Sequence, residues 1–166
     1  MVQDGIEYYI ETNKPVYDLG EDVEILYRIT NQTDEEWTVR GVGRIFDVVV
    51  ESTEEEGFRE VWSRYWTSPV MAPGPVLLRL QPNESSGMRV TWDQMDYQLT
   101  RNPGDDIEVG PGTYRVLGVL DLTPGVADLP YSSVGIDITV IPEPGSLWLF
   151  SLALLLARRR NRKQSG

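Results

Sequence analysis

The sequence predicts an all-β fold, an immunoglobulin-like antiparallel β-sandwich, followed by a short C-terminal hydrophobic helix. Three observations carry this. Apolar residues recur with period two in short runs, Gly, Pro, Asn and Asp separate the runs, and helical periodicity is scarce before the tail. Strands with one wet and one dry face, spaced this way over about 140 residues, bury their dry faces by packing sheet on sheet.

The first strand places Ile6, Tyr8 and Ile10 on one face and Glu7, Tyr9 and Glu11 on the other. A proline-stiffened bend with a glycine turn is expected over residues 14–21. The next strand alternates Val23, Ile25, Tyr27 and Ile29 with Glu24, Leu26, Arg28 and Thr30, and residues 31–36 end it. Further strands are expected at residues 37–40, 45–51, 60–66, 76–80, 88–92, 114–120 and 135–141, about nine in all. Turns fall at Glu56-Gly57, Pro82-Asn83-Glu84, Asn102-Pro103-Gly104 and Gly110-Pro111-Gly112. Ile136, Ile138 and Val140 alternate with Asp137 and Thr139 in the strand that closes the domain.

Several segments, in order, give the body a family likeness. They are Gly20-Glu21-Asp22-Val23 entering a strand that ends at Thr30-Asn31, then Ile45-Phe46-Asp47-Val48-Val49-Val50, and Glu60-Val61-Trp62-Ser63-Arg64. Leu80-Gln81-Pro82-Asn83-Glu84, Trp92-Asp93 and Val109-Gly110-Pro111-Gly112-Thr113-Tyr114-Arg115-Val116 follow. Across residues 6–141 the chain resembles the BsuPI-type intracellular proteinase inhibitors. The resemblance implies an immunoglobulin-like domain, and the founding member's activity implies inhibition of a serine protease.

Past the closing strand the chemistry changes. Ile141-Pro142-Glu143-Pro144-Gly145-Ser146 leads into an apolar run at residues 147–157, and Arg158, Arg159, Arg160, Arg162 and Lys163 follow at once. A proline break, an uncharged apolar segment and a cationic stop suit a segment that enters a bilayer and halts where Lys and Arg are retained. Residues 141–163 resemble the PEP-CTERM sorting tails of exported bacterial proteins, with Pro142, Glu143, Pro144, Arg158, Arg159 and Arg160 as the sorting motif. The resemblance implies a membrane partner, a sorting transpeptidase of the exosortase type. The eleven-residue run spans about 16 Å as a helix, half of a hydrocarbon core of about 30 Å, so the insertion is short and relies on arginine snorkelling and local thinning. Residues 1–5 have neither a basic nor an apolar leader region, so no secretory signal is read within this chain. The expected organisation is a BsuPI-like β-sandwich domain at residues 1–141 and a sorting tail at residues 142–166, delivered to the cell envelope or the extracellular space.

Charge and missing residue types narrow the function classes. The chain carries 15 Lys plus Arg against 26 Asp plus Glu; five of the cations and none of the acids lie beyond residue 145, leaving the body at −16. Such a surface repels phosphate backbones, so nucleic acid is not an expected partner. There is no cysteine and therefore no disulfide. There is no histidine either, so neither a Ser-His-Asp nor a Cys-His nucleophile system can be built, and the common zinc sites lose their usual ligand. No enzyme activity and no cofactor is expected.

Two segments are candidate contact sites. An inhibitor needs a stiff, extended loop that fills a protease cleft at little ordering cost, and residues 67–75 fit, with prolines at 69, 73 and 75. Ser68, Pro69, Val70, Met71, Ala72 and Pro73 form the candidate protease contact, Val70 or Met71 filling the specificity pocket; the alternative is an ordinary connection with Met71 capping the core. Trp62, Tyr65 and Trp66 are candidate glycan contacts for an extracellular polysaccharide, the alternative being core packing between sheets. Asp93 and Asp96 flank a turn, and Asp105, Asp106 and Glu108 form an acidic loop, but neither has calcium-loop spacing, so no metal site is expected. Asn31-Gln32-Thr33 and Asn83-Glu84-Ser85 fit the glycosylation pattern and are read as turn residues.

Overall fold

A computed structural model describes residues 1–42, 45–53, 58–64, 75–96, 107–120 and 132–143. Among these the elements are β1 (Val2–Gln3), β2 (Ile6–Thr12), β3 (Val16–Asp18), β4 (Val23–Asn31), β5 (Trp37–Val42), β6 (Phe46–Ser52), β7 (Arg59–Ser63), β8 (Pro75–Leu80), β9 (Ser85–Trp92), β10 (Met95–Asp96), β11 (Ile107–Glu108), β12 (Gly112–Leu120) and β13 (Ser132–Ile141). The expected C-terminal helix lies outside the described residues.

Two sheets form the body. One has the order β1-β2-β4-β9, the other β3-β13-β12-β6-β7, and the pairs β5-β8 and β10-β11 complete the set. Alternation along the strands decides which face is dry. Ile6, Tyr8 and Ile10 of β2 and Val23, Ile25, Tyr27 and Ile29 of β4 are buried, as are Val48 and Val50 of β6, Tyr114, Val116 and Leu120 of β12, and Ile138 and Val140 of β13. These side chains form one core cluster drawn from both sheets. β4 and β12 lie inside their sheets and are paired on both edges over most of their lengths.

The connection expected over residues 14–21 contains a strand. Val16, Tyr17 and Asp18 of β3 pair in parallel with Thr139, Val140 and Ile141 of β13. Period-two reading misses a three-residue strand because one inward residue, Tyr17, makes no pattern. Tyr17 is 1% exposed; its hydroxyl donates to Asn13 Oδ1 (2.6 Å) and accepts from the Lys14 amide (2.9 Å), so the bend is pinned from inside. A second unread element is the β1-β2 hairpin, which turns on Asp4 (φ +49°) and Gly5 (φ +75°). Two consecutive positive φ values match the type I′ hairpin turn for which Asp-Gly is the preferred pair.

The two glycosylation-like triplets meet each other. Asn31, with no exposed surface, donates from Nδ2 to the carbonyls of Glu35 (2.8 Å) and Leu80 (3.0 Å), and its Oδ1 accepts from the amide (3.0 Å) and hydroxyl (2.7 Å) of Thr33. Its backbone amide donates to Glu84 O (2.9 Å), and its backbone carbonyl accepts from the Asn83 amide (2.7 Å). The triplets therefore lie where β4 ends and β9 begins, each with one residue in its strand and the others in the turn, and Asn31 stitches the two turns together.

Candidate functional site

Three places bear on function: the exit of the tail, the loop after β7 and the aromatic group. The exit is built by β3 and β13. Leu19 N–H donates to Ile141 O (2.9 Å), and Thr139 N–H donates to Pro15 O (3.0 Å), so the closing strand is held up to its last residue. In-register residues of a parallel pair share a face. Tyr17 and Val140 point inward and are each 1% exposed, while Val16 (44% exposed) and Ile141 (40%) lie on the outer side with Asp18 and Thr139. Pro142 and Glu143 are exposed immediately beyond.

Gln94 secures the adjoining turn. It is fully buried at φ +58°; its Oε1 accepts from the Gly20 amide (2.9 Å), and its Nε2 donates to the carbonyls of Asp18 (3.0 Å) and Glu21 (2.7 Å). Its own carbonyl accepts from the Val109 amide (2.9 Å). One side chain thus satisfies three backbone groups of a turn more than seventy residues away in sequence. Sequence reasoning missed it because a lone Gln after Trp-Asp has no periodic signature. On the outer side Lys14 pairs with Glu21, which also accepts from the Asp18 amide (3.2 Å), and the ammonium holds the Glu21 carboxyl below its ordinary range.

Of the predicted sorting residues, Pro142 and Glu143 lie at this exit; Pro144, Arg158, Arg159 and Arg160 lie outside the described residues. The candidate protease loop, Ser68, Pro69, Val70, Met71, Ala72 and Pro73, lies outside them as well, as do Tyr65 and Trp66. Trp62 is described and is not a surface residue. It is 2% exposed and pairs in register with Val50, so its ring fills space between the sheets instead of offering a face to a sugar. Its indole N–H is buried without a hydrogen-bond partner among the described residues. The aromatic on the wet face of the first sheet is Tyr9, which lies under the Arg28 guanidinium (5.0 Å) and hydrogen-bonds Glu11.

The acids of the β10 region are structural. Asp96, 2% exposed, receives Arg59 Nη1 at 2.6 Å and ties β10 to β7; Asp93 Oδ1 accepts from the Met95 amide (3.3 Å). Asp105 and Asp106 lie outside the described residues, and among the described residues no group of three acids, histidines or cysteines could hold a metal ion. At the mouth of β12 the Tyr114 hydroxyl donates to Gly110 O (2.6 Å), and its ring lies 5.3 Å from that of Trp92.

The outer face of the second sheet is charged. Arg115 Nε meets Asp137 at 2.9 Å, and the guanidinium lies 4.5 Å from the exposed Phe58 ring. Glu51 and Glu60 face each other across β6 and β7. Partial burial, with the Glu60 charge adding to it, raises the Glu51 carboxyl above its ordinary range, against the pull of Arg115. A carboxyl raised on folding destabilises the fold once it ionises: the stability present with Glu51 protonated is intact below its unfolded-state value and is lost as pH rises through its folded-state value. Glu51→Gln should therefore stabilise by a few tenths of a kcal/mol at neutral pH and by nothing near about pH 3, where both forms are neutral. Urea midpoints at the two pH values check this; an equal gain at both would remove the charge explanation.

The described chain is thus a two-sheet β-sandwich whose last strand runs straight into a distinct C-terminal segment. That segment is matched by the PEP-CTERM protein-sorting motif at residues 140–163. The motif supports export to the cell envelope or the extracellular space and processing by an exosortase-type enzyme. The match covers the tail and only the last two residues of the closing strand, and nothing in the comparisons supports the BsuPI-type inhibitors. No curated protein matches the sequence. Among solved structures, the chain is similar to a β-glucosidase from Erythrobacter marinus (12% identity, TM-score 0.48, 82% of this chain and 15% of that one). It is also similar to the sporulation control protein Spo0M from Bacillus subtilis (17%, 0.48, 83% and 50%) and to a CARDB domain from Pyrococcus furiosus (14%, 0.43, 82% and 87%). Among the described residues no helix is long and apolar enough to cross a membrane.

Proposed function

We propose that this protein is an exported, non-enzymatic binding module, an immunoglobulin-like sandwich brought to the cell envelope by its tail and handed there to an exosortase-type transpeptidase. The observation that carries this is the abutment of the two parts: the sorting motif begins at Val140, within the strand that closes the sandwich. Two features support the immunoglobulin-like topology. The chain pairs β2 in one sheet and then crosses to pair β3 in parallel in the other, and the Tyr114 hydroxyl bonds back to the backbone four residues upstream, as a tyrosine corner does. The lack of histidine and the structural engagement of Asp96 support a role in binding instead of turnover.

Inhibition of a serine protease is the first activity to test, supported by the resemblance of residues 6–141 to the BsuPI-type inhibitors and by the proline-stiffened residues 67–75. A panel of serine proteases assayed with the purified body tests it directly. Replacing Val70 and Met71 with Asp should abolish whatever inhibition is seen, because a charge in an apolar specificity pocket is left desolvated and unpaired. Unchanged potency would dismiss that loop. The second reading is an extracellular polysaccharide-binding or matrix module. Its support is the wet sheet face, where Tyr9 and Arg28 stack beside Glu11, an aromatic and polar set suited to sugar rings and hydroxyls. A pull-down on envelope polysaccharides, lost on Tyr9→Ala with inhibition absent, would favour it.

A further inference from the structure

A processing enzyme that grips an extended substrate uses the backbone groups of residues on both sides of its target, as strand-adding partners do. In this chain the upstream groups are already taken. Val140 and Ile141, the first two residues of the sorting motif, are paired with Tyr17 and Asp18, and Ile141 O accepts from Leu19 N–H. Pro142 and Glu143 are the first residues beyond the strand, and Pro142 has no N–H to offer. The tether is also short. Five residues, 142–146, separate the last paired residue from the apolar run, and these five span at most about 18 Å when fully extended. The sandwich edge therefore stays within about 18 Å of the start of the apolar run.

Resting on the export reading above, we propose that the β3-β13 edge gates processing: Ile141 must leave Asp18 before the transpeptidase can seat the Pro142–Pro144 segment. The geometry divides the strand end into a releasable part and an anchor. Ile141 is 40% exposed on the outer side, so its departure exposes little new apolar surface and gives up the bond from Leu19 N–H. Val140, 1% exposed and turned inward, stays. Tyr17, held by Asn13 and Lys14, keeps β3 in place, so the opening stays confined to the strand end. The gate ties sorting to folding, because the edge that limits access exists only in the closed sandwich.

The chain has no native cysteine, so the gate can be locked. Asp18 and Ile141 are in-register neighbours on the outer side, a spacing compatible with a disulfide. The full-length Asp18→Cys/Ile141→Cys protein, oxidised or reduced, is incubated with membranes carrying an exosortase-type enzyme, and tail removal is followed by mass spectrometry. The oxidised form should be processed at least about tenfold more slowly than the reduced form and the parent. An eight-residue Gly-Ser insertion between residues 141 and 142 should restore the parent rate with the disulfide intact. Equal rates for oxidised and reduced protein overturn the gate while leaving export untouched. A reduced form as slow as the oxidised one overturns it too, since the substituted side chains would then be responsible. A parent chain that no such membrane processes overturns the export reading and the gate with it.

Discussion

Asn31→Ala should lower the unfolding free energy by about 3 kcal/mol and the melting temperature by roughly 10 °C. Asn31 has no exposed surface, and its side chain makes four hydrogen bonds, to the carbonyls of Glu35 and Leu80 and to the amide and hydroxyl of Thr33. Alanine deletes both donors and the acceptor. Of the bonds lost, the one to Leu80 O is buried and the other three are part-buried; a buried group left unpaired costs about 1–3 kcal/mol, and less where a neighbour or water replaces the lost partner. Thr33→Ala should cost less, and the double variant should cost less than the sum, because the two side chains serve one network. Urea unfolding of the three variants measures this. A loss below about 1 kcal/mol for Asn31→Ala would show that the two turns hold without their shared stitch.

Gly118→Ala is the second large effect, about 3 kcal/mol, at the upper end of the usual cost of overpacking. A Cβ on Gly118 would lie 2.3 Å from Tyr27 Cδ2 and 2.6 Å from Cε2. Tyr27 cannot swing aside freely, since it has no exposed surface and meets Phe46 edge-on at 5.8 Å. The ring fills the slot that the missing side chain leaves between β4 and β12. Tyr27→Leu in the Gly118→Ala background should recover part of the loss, a compensation that a backbone explanation for Gly118 does not predict. Thermal unfolding of the two single variants and the double variant decides it; strict additivity would reject the packing account. Burial also drives the Tyr27 phenol pKa far up, and among the described residues the hydroxyl has no hydrogen-bond partner, so the residue is present for its ring.

The long strands were legible because their period is physical. Ile6, Tyr8 and Ile10, and Val23, Ile25, Tyr27 and Ile29, occupy the dry face that alternation assigns them. The turn at Pro82-Asn83-Glu84 stands where its residues place it, with Asn83 at φ +66° and Glu84 N–H donating to Gln81 O (2.9 Å). The strand expected at residues 135–141 ends at Ile141, as β13 does, and the expected tail at residues 141–163 agrees with the sorting motif at 140–163. Trp62 was harder to place. An aromatic on a strand reads the same whether its face is stacked in a core or open to a ligand, and only the packing of Trp62 opposite Val50 distinguishes them.

By itself the sequence determined the alternating strands of a sandwich and the sorting motif, with its apolar run and cationic stop. Both are local properties, written in neighbouring residues within one strand or one segment. The tertiary structure alone decided which distant parts meet: Gln94 inside the 18–21 turn, Asn31 between two loops, and β3 against the end of β13. Those contacts join residues separated by tens of positions. Their partners are backbone carbonyls and amides, which every residue carries and no sequence pattern marks.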